Sequence, residues 1–431
     1  MTRPLYHGRT STSSRSIPLS LIDDGGGWTL ARVCQHESWA LRVGFVVCLL
    51  VASSAPLARA TMLLSPSVGA RDAAMAGSTV AAPSDAMSAF FLNPAGLTLL
   101  ERPVLTFGSG IFLISGNVRT PFGYDEDMST VAIGPSFGVT LRRGSGSRWA
   151  FGVGTFGSVG SKFDFPADPE HGVPRGFFSE LGVVTIAPTV AYQLRDDLAL
   201  GLQINPLLGT LKNHVPTPEQ SLRWRVTGPG IQGVVALLYS VFPGWQLGLT
   251  YKTPGKIYMD GSVVVAGHRE DLDFDLDVPQ QVILGVAWEP LPPLTLTLFG
   301  RWSDTSQFEH SVFRFADTSA LDFPFARAAR DEYRIGGGAE YRVHERVALR
   351  IGVAGGTAAV ESGSASPVLY DLNDVIVGGG FGLDFGCWIV DLQGGASFFS
   401  DQVVDAQEAL VFPGRYSGSG AVTFAQLTRR F

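Results

Sequence analysis

The sequence predicts an all-β chain folded as a 14-stranded antiparallel transmembrane β-barrel. Three observations predict it. Mean hydropathy is slightly positive, at +0.19, yet no apolar run approaches the ~20 residues that a membrane helix needs. Apolar residues recur with period two along most of the chain. The connections between the alternating segments are short and long in turn, the pattern of an outer-membrane barrel.

Composition narrows the field further. Only 16% of the 431 residues are charged, and 52 are glycine, about 12% against a usual ~7%. Disorder is excluded by the 45% apolar content. A net charge of -7 argues against a nucleic-acid partner, which would need a strongly basic surface.

Residues 1–60 read as a signal peptide with an extended leader. The apolar run Val43–Leu57 is too short to span a bilayer, follows Arg42, and is followed by Ala58-Arg59-Ala60. Cleavage is expected after Ala60, leaving 26 basic and 36 acidic residues, net -10. Cys387 would then be the only cysteine, so an internal disulfide is not expected. Residues 61–101 are rich in Ala, Ser and Gly without strand alternation, and about 40 residues suffice for a small plug but not for an independent core.

Residues 102–431 form the barrel. Leu294, Leu296 and Leu298 alternate with Thr295, Thr297 and Phe299; Val347, Leu349, Ile351 and Val353 alternate with Ala348, Arg350, Gly352 and Ala354. One face of such a strand is greasy and the other small or polar. Fourteen segments begin near Arg102, Ser129, Arg148, Ser179, Leu198, Leu222, Trp245, Asp277, Leu294, Asp331, Val347, Asp374, Trp388 and Gly418. Long connections are expected at 116–128, 163–178, 212–221, 266–276, 307–330, 359–373 and 400–417. Trp149, Trp245, Trp288 and Trp388 each lie beside a short turn, where indoles would form one interfacial girdle. Both termini would then be periplasmic. The chain ends on Phe431, an aromatic like the one that barrel assembly machinery reads, although Arg429 stands where that signal is usually apolar.

The segment Gly69–Gly77, the stretch Ala86–Phe91 and the step Asn93-Pro94-Ala95-Gly96-Leu97 resemble the FadL/TodX family of outer-membrane transporters for long-chain fatty acids and other hydrophobic compounds. The resemblance continues at Leu249–Pro254, Val278–Gly285, Arg334–Arg342 and Ala348–Val353. It implies a hatch (residues 61–101, with Asn93, Pro94 and Ala95 as its motif) inside the barrel. It also implies capture of hydrophobic molecules outside and their lateral release beside a kinked third strand. Gly154, Gly157 and Gly160 are the expected kink residues, glycine being the residue that weakens or bends a strand. The expected partners are a hydrophobic small molecule or fatty acid, outer-membrane lipids and lipopolysaccharide, and the assembly machinery. A FadL-like barrel could instead serve as a secretion partner or surface-protein shuttle.

Alternation places Gln203, Asn205, Lys252, Gln281, Arg301, Arg334, Glu340, Arg342, Arg350, Asp391 and Gln393 on the lumen side. A fatty-acid carboxylate would need a cation there, so Arg301, Arg334, Arg350 and Lys252 are candidate ligand-binding residues. The plainer reading is a structural network of these arginines with Glu340 and Asp391. Phe163, Phe165, Phe177, Phe178, Phe323 and Phe325 either receive a hydrophobic molecule or pack the loops together. No catalytic residue, metal or cofactor is expected: His171, His214, His268, His310 and His344 lack H-x-x-H spacing, and Gly378–Gly382 opens a strand, not a phosphate-binding helix.

Overall fold

The computed structural model describes residues 64–142, 146–171, 173, 175–216, 221–265, 267–326, 328–361, 365–367, 369, 371–405 and 413–431. The expected leader and its cleavage point lie outside them. Nineteen strands form one antiparallel sheet: β1 (Val104–Arg119), β2 (Asp125–Arg142), β3 (Trp149–Phe165), β4 (Phe177–Arg195), β5 (Leu198–Pro216), β6 (Ser221–Phe242), β7 (Trp245–Lys252), β8 (Gly255–Val265), β9 (His268–Val278), β10 (Gln281–Leu291), β11 (Leu294–Ser303), β12 (Val312–Phe315), β13 (Phe323–Pro324), β14 (Glu332–His344), β15 (Val347–Gly356), β16 (Asp374–Asp384), β17 (Trp388–Phe399), β18 (Gln402–Val404) and β19 (Gly414–Arg430).

The wall itself has fourteen strands. β7 and β8 are one wall strand broken at Thr253-Pro254, because β6 pairs with both. β9 and β10 are likewise one strand broken at Pro279-Gln280, pairing with β8 and β7. Proline cannot donate to the ladder, and the Gln232 side-chain amide spans both breaks by donating to the Thr253 and Pro279 carbonyls. β12, β13 and β18 lie within long connections. The last strand pairs with the first over Val104↔Arg430 through Arg119↔Arg415, which closes the sheet. Closure joins the two ends of the sheet, so outside one seam between β2 and β3 the backbone is satisfied without any long apolar run.

The connections differ from expectation: residues 116–119 and 125–128 belong to β1 and β2, residues 212–216 belong to β5, and one expected loop is absent. Residues 268–276, expected within a loop from 266 to 276, are strand; β8 and β9 continue outward as a hairpin. The alternation was present, with Leu272, Phe274 and Leu276 buried on one side, but Asp271, Asp273, Asp275 and Asp277 fill the other and give it a loop's polarity. This hairpin and the connection carrying β12 and β13 bury Trp224, Phe274, Phe308, Phe313 and Phe315 between them. Phe323 and Phe325 pack against that cluster, while Phe163, Phe165 and Phe177 lie in a second one. Phe323 and Phe325 therefore hold the loops together, while Phe163, Phe165 and Phe177 pack the ends of β3 and β4.

The short-turn end carries the expected girdle. Trp245 and Trp288 stack with ring centroids 5.3 Å apart, and Trp149 lies 4.4 Å from Tyr192. Arg429 packs over the rings of Trp388 and Phe431, which accounts for a cation at that position of the closing strand. Cys387, expected to stand alone after cleavage, is disulfide-bonded.

Residues 64–103 fill the lumen near the short-turn end. Two short helices, α1 (Ala70–Ala74) and α2 (Ala86–Phe91), alternate with 3-10 turns at Thr79–Ala81 and Pro94–Leu99, and nearly all of this segment is buried. Glycines of the wall make room for it. A Cβ at Gly201 would stand 2.3 Å from the Ala95 nitrogen, and one at Gly378 2.4 Å from the Ala73 oxygen. One at Gly352 would stand 2.3 Å from the Met75 carbonyl carbon. Gly138, Gly152 and Gly154 all accommodate the Phe90 ring. The neighbours at Gly201, Gly352 and Gly378 are backbone, so they cannot rotate away. Gly352→Leu is expected to lower stability by about 1–3 kcal/mol, through overpacking against α1. The thermal midpoint of the detergent-extracted barrel measures this, with Gly157→Ala, which meets nothing within 4 Å, as the matched control.

Candidate functional site

The wall is incomplete at one seam. β2 pairs with β3 only over Phe137–Arg142 against Thr155–Ala150. Above this, residues 125–136 of β2 pair with β1 but not with β3. The cause lies in β3. Its register against β4 shifts between Gly157 and Val159, so Ser158 is an extra residue. Below the bulge Ala150, Gly152, Gly154 and Phe156 face inward; above it Val159, Phe163 and Phe165 do. The Thr185 hydroxyl donates to Ser158 Oγ at 2.7 Å, anchoring the extra residue to β4.

Of the three glycines expected to kink this strand, only Gly157 adjoins the bulge. Gly154 seats Phe90 of the hatch, and Gly160 faces away from the lumen. Ser158 carried no sequence signal. A single-residue insertion is visible only as a change of alternation phase, and here glycine and serine occupy both phases.

A cavity of about 1050 Å³ opens at the seam. It is bounded by inward-facing Phe112, Phe156, Val159, Leu181, Val183 and Phe424, and equally by outward-facing Phe107, Val131, Ile133 and Val184. It therefore reaches from the lumen to the lipid-facing surface. Its inward lining carries no charged side chain, and its charged lining, Lys162, Glu180, Lys212 and Arg225, lies on the outer side. The beginning of the hatch forms part of its wall through Ser65–Val68. Leu64 bridges to Val159, and the Ser65 amide donates to the Ser158 carbonyl at 3.2 Å.

The lumen arginines do not point into this cavity as unpaired cations. Arg334 forms a fork on Asp374 at 2.7 and 3.0 Å and also meets Glu332, which binds Arg301 at 2.7 Å. Arg350 joins Glu340 at 2.7 Å to Asp391 at 2.6 Å. Arg71 of the hatch donates to the same Glu340 at 2.8 Å and to the Ala82 carbonyl. Each arginine that was a candidate for a ligand is thus held by carboxylates, and the plainer, structural reading is the one the geometry supports. Lys252 differs. Its ammonium lies 4.4 Å from the centre of the Phe91 ring, with no ion pair among the described residues. It does not line the seam cavity.

The hatch motif has a clear physical role. The Asn93 amide donates to the Val80 carbonyl at 2.9 Å and to the Leu237 carbonyl of β6 at 3.1 Å, while its Oδ1 accepts the Ala95 amide. Asn93 thus caps the 3-10 turn and ties it both to its own chain and to the wall. Pro94 occupies the first position of that turn, where no amide donor is required, and Ala95 is small enough to meet Gly201. Asn93→Ala leaves the Val80 and Leu237 carbonyls without their donor and should cost about 1–3 kcal/mol. The expected readout is raised sensitivity to a large polar antibiotic that wild-type cells exclude.

Asp72 supplies a pH dependence. Its Oδ1 accepts the Thr79 hydroxyl at 2.6 Å, and burial pushes its carboxyl up to about 6. The folded state then holds this proton more tightly than the unfolded chain does. The stabilisation it gives is full below about pH 4 and is lost as pH rises through about 6. Between pH 4 and 7 the thermal midpoint of wild type should therefore fall relative to that of Asp72→Asn, which cannot ionise; parallel profiles would remove Asp72 from this role.

Comparison with known proteins agrees with this architecture. A Pseudomonas aeruginosa FadL homologue superposes with a TM-score of 0.74 at 15% identity, over 86% of this chain and 100% of that one. The Pseudomonas putida toluene transporter TodX gives 0.69 at 17%, over 86% and 100%. The Ralstonia pickettii toluene transporter TbuX gives 0.64 at 19%, over 85% and 99%. At these identities the likeness is one of fold. No curated protein matches the chain. Residues 49–431 match the family model of outer membrane protein transport proteins (OMPP1/FadL/TodX), and the chain belongs to that family of outer-membrane channels for hydrophobic compounds, which are transporters and not enzymes.

Proposed function

We propose that the chain takes up hydrophobic molecules passively across the outer membrane and releases them sideways through the β2–β3 seam. The long connections face the exterior, and both termini are periplasmic. One observation carries this reading: a single cavity is bounded by both lumen-facing and lipid-facing side chains. A greasy passenger following that path enters the bilayer without crossing the aqueous periplasm. The hatch acts as the gate, because Leu64 and Ser65 lie against the bulge that opens the seam.

The uncharged inward lining suits hydrocarbons, or the alkyl tail of a long-chain fatty acid. Two of the solved relatives are toluene transporters, which favours the former class. If a carboxylate enters, Lys252 is the lumen cation left to meet it, since Arg301, Arg334 and Arg350 are already bound by carboxylates.

Deleting Ser158 tests the seam directly. The deletion brings β3 back into phase and lets its upper half pair with β2. Uptake of a labelled hydrocarbon or fatty acid should fall to near the level of cells lacking the protein, while the barrel keeps its heat-modifiable migration on gels. Unchanged uptake in a folded deletion variant would overturn lateral release.

A further inference from the structure

The outward face of β3–β6 changes character abruptly above the lipid-facing belt. Val184 and Ile186 on β4, Ile204 and Leu208 on β5, and Ile231 on β6 are exposed apolar residues of that belt. Four to eight residues further along the same face, Lys162, Glu180, Lys212 and Arg225 are register partners in sequence across the four strands. Arg223 stands one step above Arg225, opposite His214. Arg223 and Arg225 are exposed and have no ion pair among the described residues. Lys162 has none either, whereas Lys212 is held by Glu180 at 2.7 Å. Glu180 and Asp164 are the carboxylates within this patch, and Asp260 and Asp271 bound it on β8 and β9. Four cations thus gather against two carboxylates on a chain whose net charge is -7.

The height of the patch fixes what it faces. From Tyr192, in the aromatic girdle beside Trp149, to Glu180 is twelve residues along β4. At about 3.3 Å per residue and a tilt of about 40°, that is about 30 Å along the membrane normal, one bilayer thickness. The cations therefore lie at the headgroup level of the opposite leaflet, which is the outer one if the girdle is periplasmic. Exposed cations above an apolar belt meet both halves of an anionic lipid, the acyl chains below and the phosphates above.

We propose that Lys162, Arg223 and Arg225 bind the phosphates of an outer-leaflet glycolipid of the lipid A kind, beside the mouth of the seam. The acyl chains would lie on the Val184, Ile204, Leu208 and Ile231 surface, and Lys212 would keep Glu180 neutralised.

The test uses the full chain in phosphatidylcholine nanodiscs, with three probes: bisphosphorylated lipid A, the same lipid dephosphorylated, and inorganic phosphate. The variant is Lys162→Gln/Arg223→Gln/Arg225→Gln, which leaves Lys212 in place so that Glu180 is not orphaned. Wild type should prefer the bisphosphorylated lipid over the dephosphorylated one by about tenfold or more, with the preference shrinking at high salt. The variant should lose that preference while retaining its folded migration on gels. Equal binding of the two lipids by wild type, or an unchanged preference in the variant, would overturn the proposal. So would full displacement of the lipid by millimolar inorganic phosphate, which would mark a site for a small anion.

Discussion

The constraint on which this structure depends is that no backbone amide or carbonyl can go unpaired in hydrocarbon. A closed sheet meets it everywhere at once, which is why the first and last strands pair along sixteen residue positions and why Pro254 and Pro279 have a glutamine side chain across their breaks. A break in such a wall is expensive, so the seam between β2 and β3 is informative. It persists because one extra residue, Ser158, puts the upper half of β3 out of phase, and because the hatch strand, through Leu64 and Ser65, pairs part of what the wall leaves open.

Inside the barrel the governing quantity is space. Gly201, Gly248, Gly352 and Gly378 of the wall lie where the hatch backbone approaches within van der Waals distance, and paired ionic groups occupy several of the polar lumen positions. Glu340 receives both Arg71 and Arg350, so one carboxylate fastens the hatch to the wall. Losing it would leave Arg350 with Asp391 alone and Arg71 with the more distant Asp85, weakening two buried ion pairs at once. The price of a lumen locked in this way is that few charges remain for a passenger, which fits a channel whose cavity is lined by aromatic and aliphatic groups.

Much of the architecture was legible because period-two alternation is a local property. The fourteen wall strands and the tryptophan girdle follow from residues a few positions apart. What was hidden was non-local or out of phase. Arg71 and Glu340 are 269 positions apart, and nothing in either neighbourhood announces the contact. The acidic face of β9 masked a strand. The glycines of β3 pointed to the right strand and, in Gly157, to the edge of the bulge, while Ser158 stayed hidden because a bulge is defined by the partner's register and not by its own sequence. The lumen arginines were correctly placed on the inner face, while the carboxylates that occupy them lay on neighbouring strands.

The closing seam between β1 and β19 has a consequence in time. Val104 meets Arg430, so the first strand of the wall waits for the last one to be made. Every other neighbour in the wall can zip locally, hairpin by hairpin, but this pairing has the highest sequence separation of the wall's strand pairings, and its loop-closure cost comes due last. The hatch precedes β1 in the chain, so it must already be among the unclosed strands, or be drawn in with them, when the cylinder shuts. Assembly and plugging are therefore one kinetic event, and a hatch that fails to seat is a defect of folding before it is a defect of gating.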